Sequence, residues 1–314
     1  MIRIATRNSA LARAQARLVA EMLGGAQLVE VSSDGEPGDK ARFVRGVERA
    51  LLDGSADLGV HSAKDVPSEM AEGLVIAAVP SREDPADVWI GVGASLDEVP
   101  EGARVGTASL RRGAQLLAAR PDLKVEEMHG NVDTRLRKLG EGEVDAVVLA
   151  AAGLRRLGRD DEASFAIPAE AMTPAAGQGA LVLQAHADDE ATRDAVAKVS
   201  DDVAMRELTA ERTVVALLEA TCASPIGVHA RIAPPLGGGP DGRAHTAGKE
   251  AGKEGLVIDA FVGLPDGSEW LRDRIESDAD RPQAVGKQLA ERLLSAKARD
   301  ILDRADEWSA RIGL

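Results

Sequence analysis

The chain has no tyrosine, three phenylalanines, three tryptophans and a single cysteine in 314 residues. With aromatics at 2%, its cores must be built from Ala, Val, Leu and Ile, and a hydrophobic content of 44% supplies them. One thiol cannot close an internal disulfide, nor can it build a zinc site of several thiolates. A positive field is missing as well. The formal net charge of −14 argues against general binding of nucleic acid, which depends on cationic surface. No run reaches the roughly 18 apolar residues of a membrane span, and no apolar leader follows Met1-Ile2-Arg3. These absences lead to the expectation of a soluble, cytoplasmic protein with no nucleic-acid or membrane partner. The length allows two or three domains of roughly 100–150 residues.

What is present alternates. Ile2–Ala5, Gln27–Val31 and Asp57–Val60 read as strands, with helices between them. The first helix has Ser9 as its N-cap, Leu11, Leu18, Val19, Met22 and Leu23 as its buried stripe, and Gly24-Gly25 as its stop. Phe43–Leu52 is the second. The pattern then recurs: strands at Arg104–Thr107, Lys124–Glu127 and Asp145–Leu149, and helices at Leu110–Ala119, capped by Ser109, and Val132–Leu139. Leu51–Val60 and Lys138–Val148 share one order of helix end, glycine turn, acidic residue and strand. This weak internal similarity predicts two alike α/β lobes, each a parallel sheet with helices on its faces. Links near Pro80–Pro85 and Pro168–Gly179 make two crossings, so that Ala180–Gln184 returns as a strand of the first lobe. Two lobes joined twice enclose a cleft, as in periplasmic binding proteins, and ligands bind beyond the carboxyl ends of the parallel strands. After residue 200 come a long helix, Val203–Leu218, strands near Val228–Ile232, Leu256–Val262 and Trp270–Ile275, and helices at Arg281–Leu294 and Ala296–Ala305. The expected domains are 1–82 with 179–199, 83–178, and a smaller α+β domain at 200–314. Gly237–Gly255 reads as a flexible hairpin insertion.

Charge is unevenly spread. Ala103–Arg159 holds eleven Lys/Arg against seven Asp/Glu. Solvated helix faces would account for any one of these cations. Their recurrence after strand ends, at Arg7, Arg111-Arg112, Arg135 and Arg155-Arg156, points instead to an anionic ligand. Thr107-Ala108-Ser109-Leu110-Arg111-Arg112 brings hydroxyls, guanidinium groups and a helix N-terminus together, which suits carboxylate or phosphate. His61-Ser62-Ala63-Lys64-Asp65-Val66-Pro67 follows a strand directly. It suits an ordinary loop, or a site in which Asp65 is a general acid–base and Lys64 an anion holder. No second histidine stands at a ligand spacing from His61, so no metal site is expected. Cys222, among Ala220, Thr221, Ala223, Ser224 and Pro225, is an inert half-buried thiol or a reactive one.

Taken in order, a set of stretches resembles the porphobilinogen deaminase family, over residues 1 to about 230. They are Arg3–Arg7, His61–Pro67, Arg82-Glu83-Asp84-Pro85, Gly106–Arg112, Gly130-Asn131-Val132 with Thr134-Arg135, Ala152–Gly158, Gly177-Gln178-Gly179, and Cys222 with Pro225-Ile226-Gly227. The resemblance implies a dipyrromethane cofactor held by Cys222 through a thioether. It implies head-to-tail addition of four porphobilinogen units, each losing ammonia through an azafulvene, and hydrolytic release of hydroxymethylbilane. Asp65 would be the catalytic carboxylate. Ser62, Lys64, Asp65, Thr107, Ser109, Arg111, Arg112 and Arg135 would hold the cofactor, and Arg7, Gln15, Phe43, His129 and Arg156 the substrate. Arg suits the acetate and propionate groups because its planar fork pairs carboxylate in two places. The family resemblance also implies a monomer.

The chain departs from the family at a shortened 32–42 stretch, and at His129 in place of an arginine. The histidine would make carboxylate binding there depend on pH. Ala220-Thr221 stands in place of a glycine pair, and Ala108 in place of a hydroxyl residue. The competing expectation is a non-enzymatic two-lobed protein that binds an anion or a pyrrole and has no use for Asp65 or Cys222.

Overall fold

The computed structural model describes residues 1–32, 42–221, 223–233 and 254–312. All but the last two residues of the expected hairpin at 237–255, and most of the 32–42 stretch, lie outside them. The first lobe holds β1 (Arg3–Arg7), α1 (Ala10–Met22), β2 (Gln27–Val31), α2 (Arg42–Leu52), β3 (Leu58–Ser62) and β4 (Leu74–Ala78). The second holds β5 (Asp87–Gly91), β6 (Arg104–Gly106), α3 (Leu110–Ala119), β7 (Lys124–Glu126), α4 (Val132–Gly140), β8 (Ala146–Ala150), α5 (Ala151–Arg156) and β9 (Phe165–Ile167). The chain then returns to the first lobe with β10 (Leu181–His186) and α6 (Glu190–Ala197). A third region follows: α7 (Asp202–Leu217), β11 (Ile226–Ala233), β12 (Gly255–Gly263), β13 (Trp270–Asp278), α8 (Pro282–Ser295) and α9 (Ala298–Ile312).

The two lobes share one topology. Their sheets run β2-β1-β3-β10-β4 and β7-β6-β8-β5-β9. The internal similarity seen in the sequence has a physical basis here. In the first lobe the Asp57 carboxylate accepts from the Arg3 backbone N–H at 2.8 Å and from its Nε at 3.1 Å. In the second, Asp145 accepts from the Arg104 N–H at 2.8 Å and from its Nε at 3.2 Å. The same arginine–aspartate clamp ties the start of β1 to the turn before β3, and the start of β6 to the turn before β8.

The sheets are mixed, where the alternating pattern predicts all-parallel ones. β10 runs antiparallel to β3 and β4, and β5 runs antiparallel to β8 and β9. The crossings explain it. A strand arriving from the other lobe enters at the cleft end of the sheet, so it must run against its neighbours. Leu181 accordingly pairs with Ser62 at the end of β3, and Asp87 with Ala150 at the end of β8. β4, β5, β9 and α6 were not among the expected elements.

Each sheet has its own aliphatic core. Ile4, Val19, Leu58 and Leu183 fill the first lobe. Trp89, Val105, Leu116 and Val148 fill the second, where Trp89 stacks on Phe165 at 5.9 Å between ring centroids. Val214, Val228, Ile258, Leu289 and Leu302 fill the third. The antiparallel β11-β12-β13 sheet with its helices is the expected α+β part, and α9 extends to Ile312, beyond the predicted Ala305.

The second crossing is packed tightly on both sides. Gly177, at φ +74°, would push a Cβ to 2.8 Å from the Ala63 Cβ and 3.0 Å from the Lys64 N. Gly179, at φ +88°, would place one 2.1 Å from the Glu83 carbonyl oxygen. Both positions combine a left-handed backbone with an approach that excludes any side chain. Gly179→Ala is therefore expected to destabilise the chain by about 2–3 kcal/mol. Calorimetry should show this as a thermal midpoint lowered by roughly 5 °C. An unchanged midpoint would mean that the crossing yields freely.

Candidate active site

From the first lobe, β3 ends at Ser62 and a single 3-10 turn, Ala63–Asp65, follows. Buried Gln15 of α1 donates to the Ser62 hydroxyl at 2.8 Å. His61 is buried and meets the Gln184 amide oxygen at 3.0 Å, while Gln184 donates to Glu48 at 2.9 Å. Burial pulls the His61 pKa down to about 4, helped by the charge of Arg7 and opposed by the Gln184 contact, so the ring is neutral. Lys64 donates to the Gln178 amide oxygen at 3.3 Å. Desolvation, then repulsion from Arg112, brings its pKa down to about 8 against the pull of Asp65 and Asp87. The Asp65 carboxylate makes no hydrogen bond or ion pair with another described residue.

From the second lobe, Thr107 is buried and its hydroxyl accepts from the Ser109 N–H at 3.1 Å. Ser109 occupies the N-cap position of α3 without a side-chain cap bond, so the expected cap is not made. Arg111 and Arg112 are 4% and 6% exposed, and both converge on Asp87, which has no exposure at all. Arg111 donates to one carboxylate oxygen at 2.7 Å and to the Thr173 carbonyl at 2.8 Å. Arg112 reaches the other oxygen through Nε at 2.9 Å and donates to the Val148 carbonyl at 2.9 Å. Burial works to raise the Asp87 carboxyl, but the two guanidinium groups outweigh it and hold it well below the usual range. Part of the donor capacity expected to face a ligand is thus directed at the protein's own carboxylate.

The remaining cations sort clearly. Arg104, Arg120, Arg137, Arg155 and Arg159 pair with Asp145, Asp122, Glu141, Glu83 and Asp133, respectively. Arg135 and Arg156 have no ion pair among the described residues. They donate only to the backbone carbonyls of Gly130, at 3.0 Å, and Gly179, at 2.6 Å. Desolvation lowers both to about 10, with Arg112 repelling Arg135 as well. The charge of Glu83 offsets part of this for Arg156; a desolvated guanidinium without an ion pair is costly, and it remains charged at neutral pH.

The second crossing joins the two sides. Gln178, fully buried, accepts from Lys64 at 3.3 Å and Arg111 at 3.5 Å and donates to the Pro85 carbonyl at 2.6 Å. Ser62, Lys64, Thr107, Ser109, Arg111, Arg112, Arg135 and Arg156 therefore gather around one crossing. His129 sits at the surface, its ring against the Glu127 carboxylate. Arg7 lies at the end of β1, beside His61. Cys222 and the Phe43 side chain lie outside the described residues. Before the cysteine, Leu218 caps the end of α7, Glu219 takes a left-handed φ of 49°, and Ser224 Oγ accepts from the Thr221 N–H at 3.0 Å.

Sequence reasoning assigned no role to Asp87, Gln178, Arg82 or Glu211. A signal was present for the last. Glu207 and Glu211 fall four apart on α7, in phase with its buried Ala204, Leu208 and Val214, where an acidic residue needs a partner. Arg82 supplies it, donating to Glu211 at 2.8 Å and to Glu207 at 3.4 Å.

Two family models cover nearly all of the chain. One, described as porphobilinogen deaminase, dipyromethane cofactor binding domain, matches residues 2–194; the other, porphobilinogen deaminase, C-terminal domain, matches 205–295. This chain belongs to the porphobilinogen deaminase family. A porphobilinogen deaminase of Campylobacter concisus is 41% identical, covering 98% of this chain and 99% of its own. One from Desulforudis audaxviator is 43% identical, covering 96% of each. Among solved structures, a TRAP periplasmic solute binding protein from Desulfovibrio salexigens is 10% identical with a TM-score of 0.38, over 63% of this chain and 72% of that one. At that score the likeness carries no argument, and the lobes rest on their strand order.

A dipyrromethane carries several carboxylates, and the donor set fits it. Arg135, Arg156 and Lys64 are desolvated cations that form no ion pair with a described residue. Lys64 loses its proton as pH rises through about 8, so its share of anion binding is full below that pH and lost above it. Calorimetric titration of the cofactor-free chain with a carboxylated pyrrole should show affinity falling up to about tenfold from pH 7 to pH 9. Lys64→Met should be weaker and flat. A wild-type affinity unchanged over that range would remove Lys64 from the anion-binding set.

Proposed function

We propose that this chain is a hydroxymethylbilane synthase. It condenses four porphobilinogen molecules head to tail with loss of ammonia and releases linear hydroxymethylbilane by hydrolysis, for tetrapyrrole (porphyrin and haem) biosynthesis. The observation that carries this reading is the gathering of cations from both lobes around the second crossing, with the strand-end carboxylate Asp65 next to Lys64. The cofactor, when bound, supplies the anchored pyrrole end on which the product is built.

The chain's own residues divide the work. Cys222 is the attachment point through its sulfur. Arg135, Lys64, Arg111 and Arg112, with the Ser62, Thr107 and Ser109 hydroxyls, hold cofactor carboxylates. Arg7, Gln15, Phe43, His129 and Arg156 hold those of the incoming substrate. Arg is suited to this because each fork can take a carboxylate in two places. Asp65 lies against the positive pyrrole nitrogen of the substrate as its amine leaves, stabilises that charge and handles the protons. Lys64 stands within electrostatic reach of Asp65. Its burial strengthens this interaction, since water is displaced from around it. The protein acts as a monomer in the cytoplasm; among the described residues no helix is long and apolar enough to cross a membrane, which agrees with that reading.

Intact mass of the purified protein tests the reading. The expected result is an added mass of two linked pyrroles on Cys222, absent from Cys222→Ser, with further pyrrole increments after brief exposure to porphobilinogen. Asp65→Asn should fold, keep the adduct and turn over slower by about 10²–10⁴-fold. An unmodified Cys222 that stays unmodified with substrate would favour a binding protein.

A further inference from the structure

The third region grips the turn that carries Asp65. Arg212 of α7 donates to three successive carbonyls just beyond it: Val66 at 3.0 Å, Pro67 at 2.7 Å and Ser68 at 3.2 Å. It forms no ion pair among the described residues, and burial lowers its pKa. Its neighbour Glu211 accepts from the Gly177 N–H at 2.6 Å, and Gly177 lies on the Ala63–Lys64 backbone on the other side of the same turn. Two consecutive residues of one helix therefore flank Lys64-Asp65.

The helix spans two cores. Ala204 and Leu208 pack with Ala63 and Val66 of the first lobe, whereas Ala210, Val214 and Leu218 belong to the core of the third region. The carbonyls just past its end, those of Leu218 and Glu219, accept from Arg299 of α9 at 3.0 and 3.4 Å. Thr221, next to Cys222, follows within the same tightly bonded turn.

We infer that Arg212 is a positioning residue, which fixes the Asp65 turn to α7 and so sets where the carboxylate stands relative to the rest of the site. One planar fork reaching three carbonyls is a task for guanidinium; the ammonium of lysine is a point charge and cannot span them. The role differs from that of Arg135 and Arg156, whose backbone contacts leave them facing no such set of acceptors. The inference rests on the proposed synthase activity for its kinetic consequence only.

The test compares Arg212→Lys and Arg212→Met with the wild type, each checked by mass for the pyrrole adduct. Amide exchange of peptides covering 63–70 is expected to speed up by at least about tenfold in both variants while the rest of the first lobe stays protected. Porphobilinogen turnover should fall about 10–100-fold in kcat with KM within about twofold, and millimolar methylguanidinium should restore part of it to Arg212→Met. A raised KM with unchanged kcat would overturn the inference and make Arg212 a carboxylate-binding residue. Unchanged exchange at 63–70 would overturn it whatever the kinetics. If the wild type itself shows no pyrrole increments, the synthase reading fails, and amide exchange alone still decides whether Arg212 holds the turn.

Discussion

Four hydrogen bonds from three parts of the chain converge on the Glu211 carboxylate, which has no solvent exposure. Arg82, in the first crossing, donates to both of its oxygens; the Gly177 N–H of the second crossing donates to one and the Ala230 N–H of β11 to the other. Burial raises the Glu211 carboxyl against the pull of Arg82 and these N–H groups. Such a buried pair adds little net stability over an apolar replacement, but losing one partner costs about 3–5 kcal/mol because a desolvated charge is stranded. Its contribution is geometric. Both crossings and the third region meet at one side chain, so neither lobe can move without engaging the others. Arg82 Nε also donates to the Gln178 carbonyl, which carries that constraint to the amide bridging Lys64 and Arg111.

The two lobes are built alike and used differently. Each has the clamp of Arg3–Asp57 or Arg104–Asp145 at the far end of its sheet, and each opens its crossing beside the end of the matching strand, β3 or β8. At that shared position the first lobe supplies a lysine and a carboxylate, Lys64 and Asp65. The second supplies Asp87, whose charge is consumed in orienting Arg111 and Arg112. Anchoring two buried cations with one internal anion leaves the site with a net positive character inside an acidic protein. A polycarboxylate can approach it without the chain as a whole being cationic.

Much of this was legible in the sequence because it is local. Short apolar runs bounded by glycine and charge mark the strands, and arginines just after them mark the cleft. Strand direction is not local. Nothing within Leu181–His186 or Asp87–Gly91 records which end of a sheet the segment enters; the first was expected parallel, the second was not expected as a strand, and both run antiparallel. β5 was missed because its first residue is a fully buried aspartate, a charge that reads as loop until its two arginine partners are known. The same pairing explains why Arg111 and Arg112 were only half understood as ligand-binding residues. Ser109 was expected as a cap on side-chain chemistry alone; Thr107 takes its N–H instead. Gln178 has no sequence signal beyond its glycine neighbours, since its importance lies in contacts with residues 64, 85 and 111.

The strand order also dictates a schedule for synthesis. β10 fills the position between β3 and β4, yet it follows β4 by more than a hundred residues, all of the second lobe lying between. The second lobe has its five strands in one uninterrupted stretch from Asp87 to Ile167. As the chain leaves the ribosome, that lobe is complete while the first still has a gap in the middle of its sheet. The first-made part of the protein is therefore among the last to close, and β3, the strand that leads to Asp65, waits with an unpaired edge until the return strand arrives.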